Sequence, residues 1–143
     1  MKYLLDTNIV SELRKKLPNK NVVKWFDGLD SSDLYISCIT IGELKTGALK
    51  KAKTDKNGGQ LLLKWVDKLI SDYEEQIIEI DLDICEEWAK CLTIDATNAV
   101  DGLVAAQAIA MNLTLATRNT RHFKMFDIKL LNPFEPGEQV TMN

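Results

Sequence analysis

The sequence predicts an α/β protein with three layers, a central parallel sheet of four to five strands between helices. Two observations carry this. Short runs rich in β-branched and aliphatic residues alternate with stretches whose apolar residues recur at helical spacing, the pattern of strand–helix–strand units in a parallel sheet. Several of the strand-like runs also stop at a polar or acidic residue just before a helix starts, as Tyr3-Leu4-Leu5 stops at Asp6. The 143 residues fit a single domain, a size at which roughly 70% of the unfolded surface is buried.

Residues 2–5 read as the first strand. A helix is expected from Asn8 to Lys15, ended by Leu17-Pro18-Asn19, and a second over 20–29, where Val22, Val23, Phe26 and Leu29 share a face. Leu34 to Ile39 reads as the second strand. Thr40 and Glu43 have capping-box spacing, so a helix is expected over 41–53, broken by Asp55-Lys56-Asn57-Gly58-Gly59. A long helix over 60–74 follows, then a strand at 77–80. Asp81 or Asp83 can cap the next helix. Thr97-Asn98 opens another, with Val100, Leu103, Val104 and Ile109 as its buried stripe. Residues 113–117 and 129–131 complete the strands. Residues 1–134 are expected to form the domain and 135–143 a frayed tail.

Composition narrows the function. The net charge is −3 and the pI about 5.2, which argues against gripping nucleic acid by bulk charge. Charge is uneven, however: Lys45, Lys50, Lys51, Lys53 and Lys56 stand against Asp55 alone. This stretch reads as a solvated helix end or as a phosphate-contact patch. No apolar run is long enough to span a membrane, and no leader-like segment opens the chain. Cys38, Cys85 and Cys91 have no metal-ligand spacing and read as small core residues in a reducing cytoplasm. A single histidine, His122, excludes a histidine-rich zinc site.

Ligands of parallel sheets bind beyond the carboxyl ends of the strands. Asp6, Glu43 and Asn119 all follow strands and fall on that edge. Asp101 joins them only if its helix starts there. Three converging carboxylates at ~5 Å would repel by roughly 3 kcal/mol per pair at an effective dielectric of ~20, and a divalent cation would relieve this. Oxygen-only ligands favour Mg²⁺ or Mn²⁺ over Zn²⁺. Such a cation activates a water and neutralises phosphate charge, which points to phosphodiester hydrolysis. Each acid also has a plain structural reading: Asp6 as a helix cap, Glu43 as the partner of Thr40, Asp101 as a favourable charge at a helix start. Glu12 reads as an exposed helix residue.

Five stretches in order, Leu4-Leu5-Asp6-Thr7-Asn8, Ser37 to Leu44, Asp101 to Ala106, Ala116-Thr117-Arg118-Asn119 and Leu131-Asn132-Pro133-Phe134, resemble the PIN-domain ribonucleases, most of all the VapC and FitB toxins of bacterial toxin–antitoxin pairs. The resemblance implies a Mg²⁺- or Mn²⁺-dependent endoribonuclease cutting transfer or ribosomal RNA, a small antitoxin laid across the active-site groove, and a homodimer. By position, Asp6, Glu43 and Asp101 match the family's acidic metal ligands, Asn8 a polar residue beside the first acid, and Thr117 a hydroxyl lining the site. The family's fourth acid falls at Asn119 or His122, and neither is acidic here. Asn119 still offers a carbonyl oxygen. Lys45, Arg118, Arg121 and Lys124 are expected to meet the RNA backbone.

Two other readings stand beside this one. A degenerate domain of the same fold would bind RNA or a protein without cutting. An aspartyl-phosphate phosphatase or receiver domain also ends its first strand in Asp, but the phosphatase wants a second Asp where Asn8 stands. A dinucleotide-binding fold lacks its glycine-rich turn after the first strand.

Overall fold

A computed structural model of the chain describes residues 1–135 and the backbone of 141–142. Its strands are β1 (Tyr3–Leu5), β2 (Leu34–Ser37), β3 (Ile77–Ile78), β4 (Thr114–Ala116), β5 (Lys129–Leu131) and β6 (Thr141–Met142). Its helices are α1 (Thr7–Arg14), α2 (Lys20–Asp27), α3 (Cys38–Thr54), α4 (Lys56–Asp72), α5 (Leu82–Ile94) and α6 (Ala99–Ala110). The sheet order is β3-β2-β1-β4-β5-β6. The first five strands run parallel, and β6 pairs antiparallel with β5.

The central strand β1 is apolar and buried on both sides because the sheet is covered on both sides. Alternation along the strand decides which layer a residue enters. On β1, Leu4 packs with Ile84, Val104 and Phe123, whereas Tyr3 and Leu5 pack with Ile9, Val22 and Ile36. One layer is therefore α5 and α6, the other α1 to α4. The small residues Ala105, Ala106 and Ala108 are buried and let α6 lie close on the sheet. Tyr3 and Trp25 meet edge to face at 5.1 Å, tying β1 to α2.

Several expectations are corrected. The second strand stops at Ser37, not at 39, because the Ser37 hydroxyl accepts from Ile39 N at 3.0 Å and starts α3 there. Thr40 is thus inside the helix and does not cap it. Residues 55–59 do not form a loop. Asp55 alone separates α3 from α4, ending one and capping the other through Gly58 N at 2.9 Å. Gly59 is buried where a Cβ would stand 2.4 Å from Ala52 Cβ, so glycine permits the two helices to touch. Val100, placed in the buried stripe of α6, is 48% exposed. Cys91 is buried, but Cys38 is only half-buried and Cys85 is exposed. Glu12, expected on the surface, is buried, and its carboxylate accepts from Lys15 Nζ at 2.9 Å and Asn19 N at 2.8 Å. The expected frayed tail falls partly on 136–140 and 143, which lie outside the described residues, while the backbone of Thr141 and Met142 extends the sheet.

Candidate active site

Asp6 caps α1 from the end of β1. Its Oδ1 accepts from Thr7 N at 2.9 Å, and its Oδ2 accepts from Thr117 Oγ1 at 2.8 Å and from Asn8 Nδ2 at 3.3 Å. Thr117 is fully buried just past β4. Its hydroxyl also accepts from Asn119 N at 3.0 Å and Asn8 Nδ2 at 3.3 Å. Asn8 Oδ1 accepts from Arg118 N at 3.0 Å. The ends of two neighbouring parallel strands are thereby laced together around one carboxylate.

Glu43 is held from the other side. Thr7 Oγ1 donates to Glu43 Oε1 at 2.7 Å and lies 3.0 Å from the Thr40 hydroxyl. Asp101 sits in the first turn of α6, where Asn98 caps the helix by accepting from Asp101 N at 3.1 Å and donates to Asp101 Oδ2 at 2.8 Å. Trp88 Nε1 donates to Ala99 O at 3.0 Å and fixes that helix start against α5. Because β4 runs parallel to β1, α6 begins at the carboxyl edge. The condition that the sequence left open for Asp101 is met.

The three acids feel one another's charge. Burial, and then the charge of Glu43, push the Asp6 carboxyl above its usual range, while the Thr117, Thr7 and Asn8 hydrogen bonds oppose this. Asp101 is raised by burial and by the charges of Asp6 and Glu43, against the lowering effect of His122. The His122 imidazole Nδ1 stands 3.8 Å from Asp101 Oδ2.

The donor set suits a hard divalent cation. All three side chains offer oxygen, and Glu43 Oε2 and Asp101 Oδ1 accept no hydrogen bond from the described residues. Yet among those residues no three His, Cys, Asp or Glu side chains stand close enough together to hold one ion. Glu43, exposed and tethered to Thr7, is the one on a long, rotatable side chain.

The other expected residues divide. Asn8, Thr117 and Arg118 join the network directly. Asn119 joins it through its backbone N–H, and its side chain is exposed. Arg118 lays its guanidinium over Phe134 at 4.5 Å. Arg121 and His122 sit in the short 3-10 turn Thr120–His122, and Lys124 is exposed just after it. Lys45 is not beside Glu43. Two residues further along α3 it points ~200° away around the helix, and its ammonium lies 3.7 Å from Asp67 on α4. Thr7 and Thr40 were missed as site residues. The hydroxyl directly after Asp6 was the available signal for Thr7, and the capping-box reading of Thr40 hid its buried contact.

A protein-family model described as the PIN domain matches residues 3–129. This chain belongs to the PIN-domain family. The PIN domain here is 32% identical over 136 residues to Toxin FitB of Neisseria gonorrhoeae, covering 92% of this chain and 97% of FitB. It is 30% identical over 139 residues to VapC ribonuclease Y4jK of Sinorhizobium fredii, covering 94% and 99%. The crystal structure of FitAcB from Neisseria gonorrhoeae superposes with a TM-score of 0.85 at 31% identity, covering 92% of this chain and 98% of that one.

Proposed function

We propose that this PIN domain is a divalent-metal-dependent endoribonuclease, the toxin of a toxin–antitoxin pair acting in the cytoplasm on transfer or ribosomal RNA. The observation that carries this is the Asp6–Glu43–Asp101 cluster at the carboxyl edge of the sheet, where burial and mutual repulsion raise two of the three acids. Carboxylates raised in this way are characteristic of functional sites, and a divalent cation would relieve their repulsion. The names of the relatives, a toxin and a VapC ribonuclease, support the reading.

Asp6, Glu43 and Asp101 would hold Mg²⁺ or Mn²⁺, directly or through water. The cation supplies Lewis acidity, which makes water a better nucleophile near neutral pH and offsets charge on the phosphodiester. The chain's own part is orientation. Thr117, Asn8 and Thr7 lock the Asp6 carboxylate, Thr7 holds Glu43 and Asn98 holds Asp101. Arg118 and Arg121 offer cations to the RNA backbone, and the exposed Asn119 side chain would offer an amide oxygen as a further ligand. The antitoxin lies across this groove, and the toxin pairs as a homodimer.

The test is incubation of the purified chain, freed of any partner, with total bacterial RNA in Mg²⁺, Mn²⁺ or EDTA, beside Asp6→Asn, with mapping of new RNA ends. Discrete cuts that require metal and vanish in the variant are expected. One observation favours a second reading, a domain that binds without cutting: the positions after β4 that carry an acid in the family hold Asn119 and His122. If the chain is silent and Asn119→Asp or His122→Asp restores cleavage, the enzyme has decayed. If those variants are silent too, the binding module stands.

A further inference from the structure

We infer that the groove between Arg14, Lys51 and Trp65 is a second RNA subsite that holds the single-stranded segment flanking the cleaved phosphate, an inference that rests on the ribonuclease reading. The groove starts at the acidic edge. A cavity of about 310 Å³ is lined by Thr7 and Glu43 together with Arg14, Lys51 and Trp65. A neighbouring cavity of about 510 Å³ shares Arg14, Lys51 and Trp65 and runs on over Leu61 and Leu62. Both volumes lie within the ~300–1,000 Å³ typical of ligand sites.

The chemistry fits an oligoribonucleotide. Arg14 ends α1 with an exposed guanidinium and no ion pair among the described residues; its carbon lies 5.7 Å from the centre of the Trp65 ring. An exposed arginine over an aromatic face offers a phosphate partner beside a surface that a base can meet. Lys51 is about half exposed and only loosely paired, 3.8 Å from Asp55. Gly47 lines the groove between them, and a Cβ there would meet nothing within 4 Å, so the floor is open. The placement also solves an electrostatic problem. Three carboxylates repel a polyanion. Arg118 and Arg121 offset this on the β4 side of the acids. Arg14 and Lys51 do so on the β2 side, so a strand of RNA crossing the end of β1 meets cations before and after the acids.

The probe is a labelled 2′-O-methyl oligouridylate, which the enzyme cannot cut, followed by fluorescence anisotropy in EDTA across a salt series. Arg14→Gln and Lys51→Gln are each expected to weaken binding roughly fivefold at low salt and to flatten the log–log salt dependence by about 0.7. Arg14→Lys restores the slope. Lys90→Gln, which removes the exposed partner of Glu87 on α5, leaves binding unchanged. Unaltered affinity and slope in both groove variants would overturn the subsite. So would weakened capture of a synthetic acidic–apolar peptide with RNA binding intact, since the groove would then be a protein-docking surface. The two readings fail separately. Metal-dependent cleavage with an unchanged KM in the groove variants sinks the subsite alone. Groove-dependent binding with no cleavage by any variant sinks the nuclease alone.

Discussion

Thr117→Val isolates the bond that holds Asp6. Valine has the shape of threonine, so packing at this fully buried position is kept and only the hydroxyl is lost. That hydroxyl donates to a carboxylate at 2.8 Å and accepts from Asn119 N at 3.0 Å. A hydrogen bond to a charged group contributes about 1.5–3 kcal/mol, whereas a neutral pair contributes only about 0.5–1.5. Wherever Asp6 is ionised, the variant should therefore lose about 2–3 kcal/mol. At roughly 2–4 °C per kcal/mol for a chain near this size, the melting temperature should fall by about 4–12 °C. Well below the ordinary Asp value of 3.8 the Asp6 carboxyl, whose pKa is raised, carries its proton. The bond is then between neutral groups, and the loss should shrink by about half. Urea denaturation of both proteins in EDTA, at neutral pH and at the lowest pH where both remain folded, measures the two differences. An equal loss at both pH values, or a loss under about 0.5 kcal/mol at neutral pH, would refute the claim that this hydroxyl serves the ionised carboxylate.

Three further outcomes follow from the same geometry. Asp6 should titrate by NMR above the ordinary Asp value of 3.8, and Glu43→Gln should bring it down, because the Glu43 charge raises it; for raised acids such as Asp6 and Asp101, protonation stabilises the fold fully below 3.8, and that gain disappears as pH climbs through the folded-state value. Mg²⁺ at about ten times its dissociation constant should add about 1.4 kcal/mol of stability, seen as a melting shift that Asp101→Asn abolishes. Gly59→Ala should destabilise by about 1–3 kcal/mol, since its methyl would stand 2.4 Å from Ala52 Cβ, whereas Gly47→Ala, with nothing within 4 Å, should stabilise by up to about 1 kcal/mol through helix propensity alone; thermal melts of the two variants that move in the same direction would contradict the packing.

Much of the architecture was legible because it rests on local signals. Asp6 after an apolar triplet, Asn98 as a helix cap and Asp81 as another all stand where the spacing put them. The failures share a cause, which is that a distant surface decided the matter. Gly58-Gly59 looks like a break, yet the buried face of α3 requires a residue without a side chain there. Thr40 has the spacing of a cap, but Ser37 starts the helix sooner and Thr40 turns inward to Thr7. Glu12 is buried because the loop after α1 folds back and offers it Asn19 N. Lys45 belongs to a basic run in sequence, yet a helix spreads that run around its axis, and only Lys51 reaches the groove with Arg14. The groove itself had no sequence signature, since its residues come from three helices.

The order of the strands also decides when the candidate site is complete. The first strand made lies in the middle of the sheet, and the hydrogen bond that locks Asp6 comes from a residue 111 positions later. Asp101 arrives almost as late. A nascent chain leaving the ribosome therefore carries its first acid from the outset but cannot orient it until nearly the whole polypeptide has emerged, and such non-local pairing is slow to form. Truncated or stalled products hold an incomplete site. An unfinished copy would therefore lack both the Thr117 hydroxyl that orients Asp6 and the ordered start of α6 that presents Asp101.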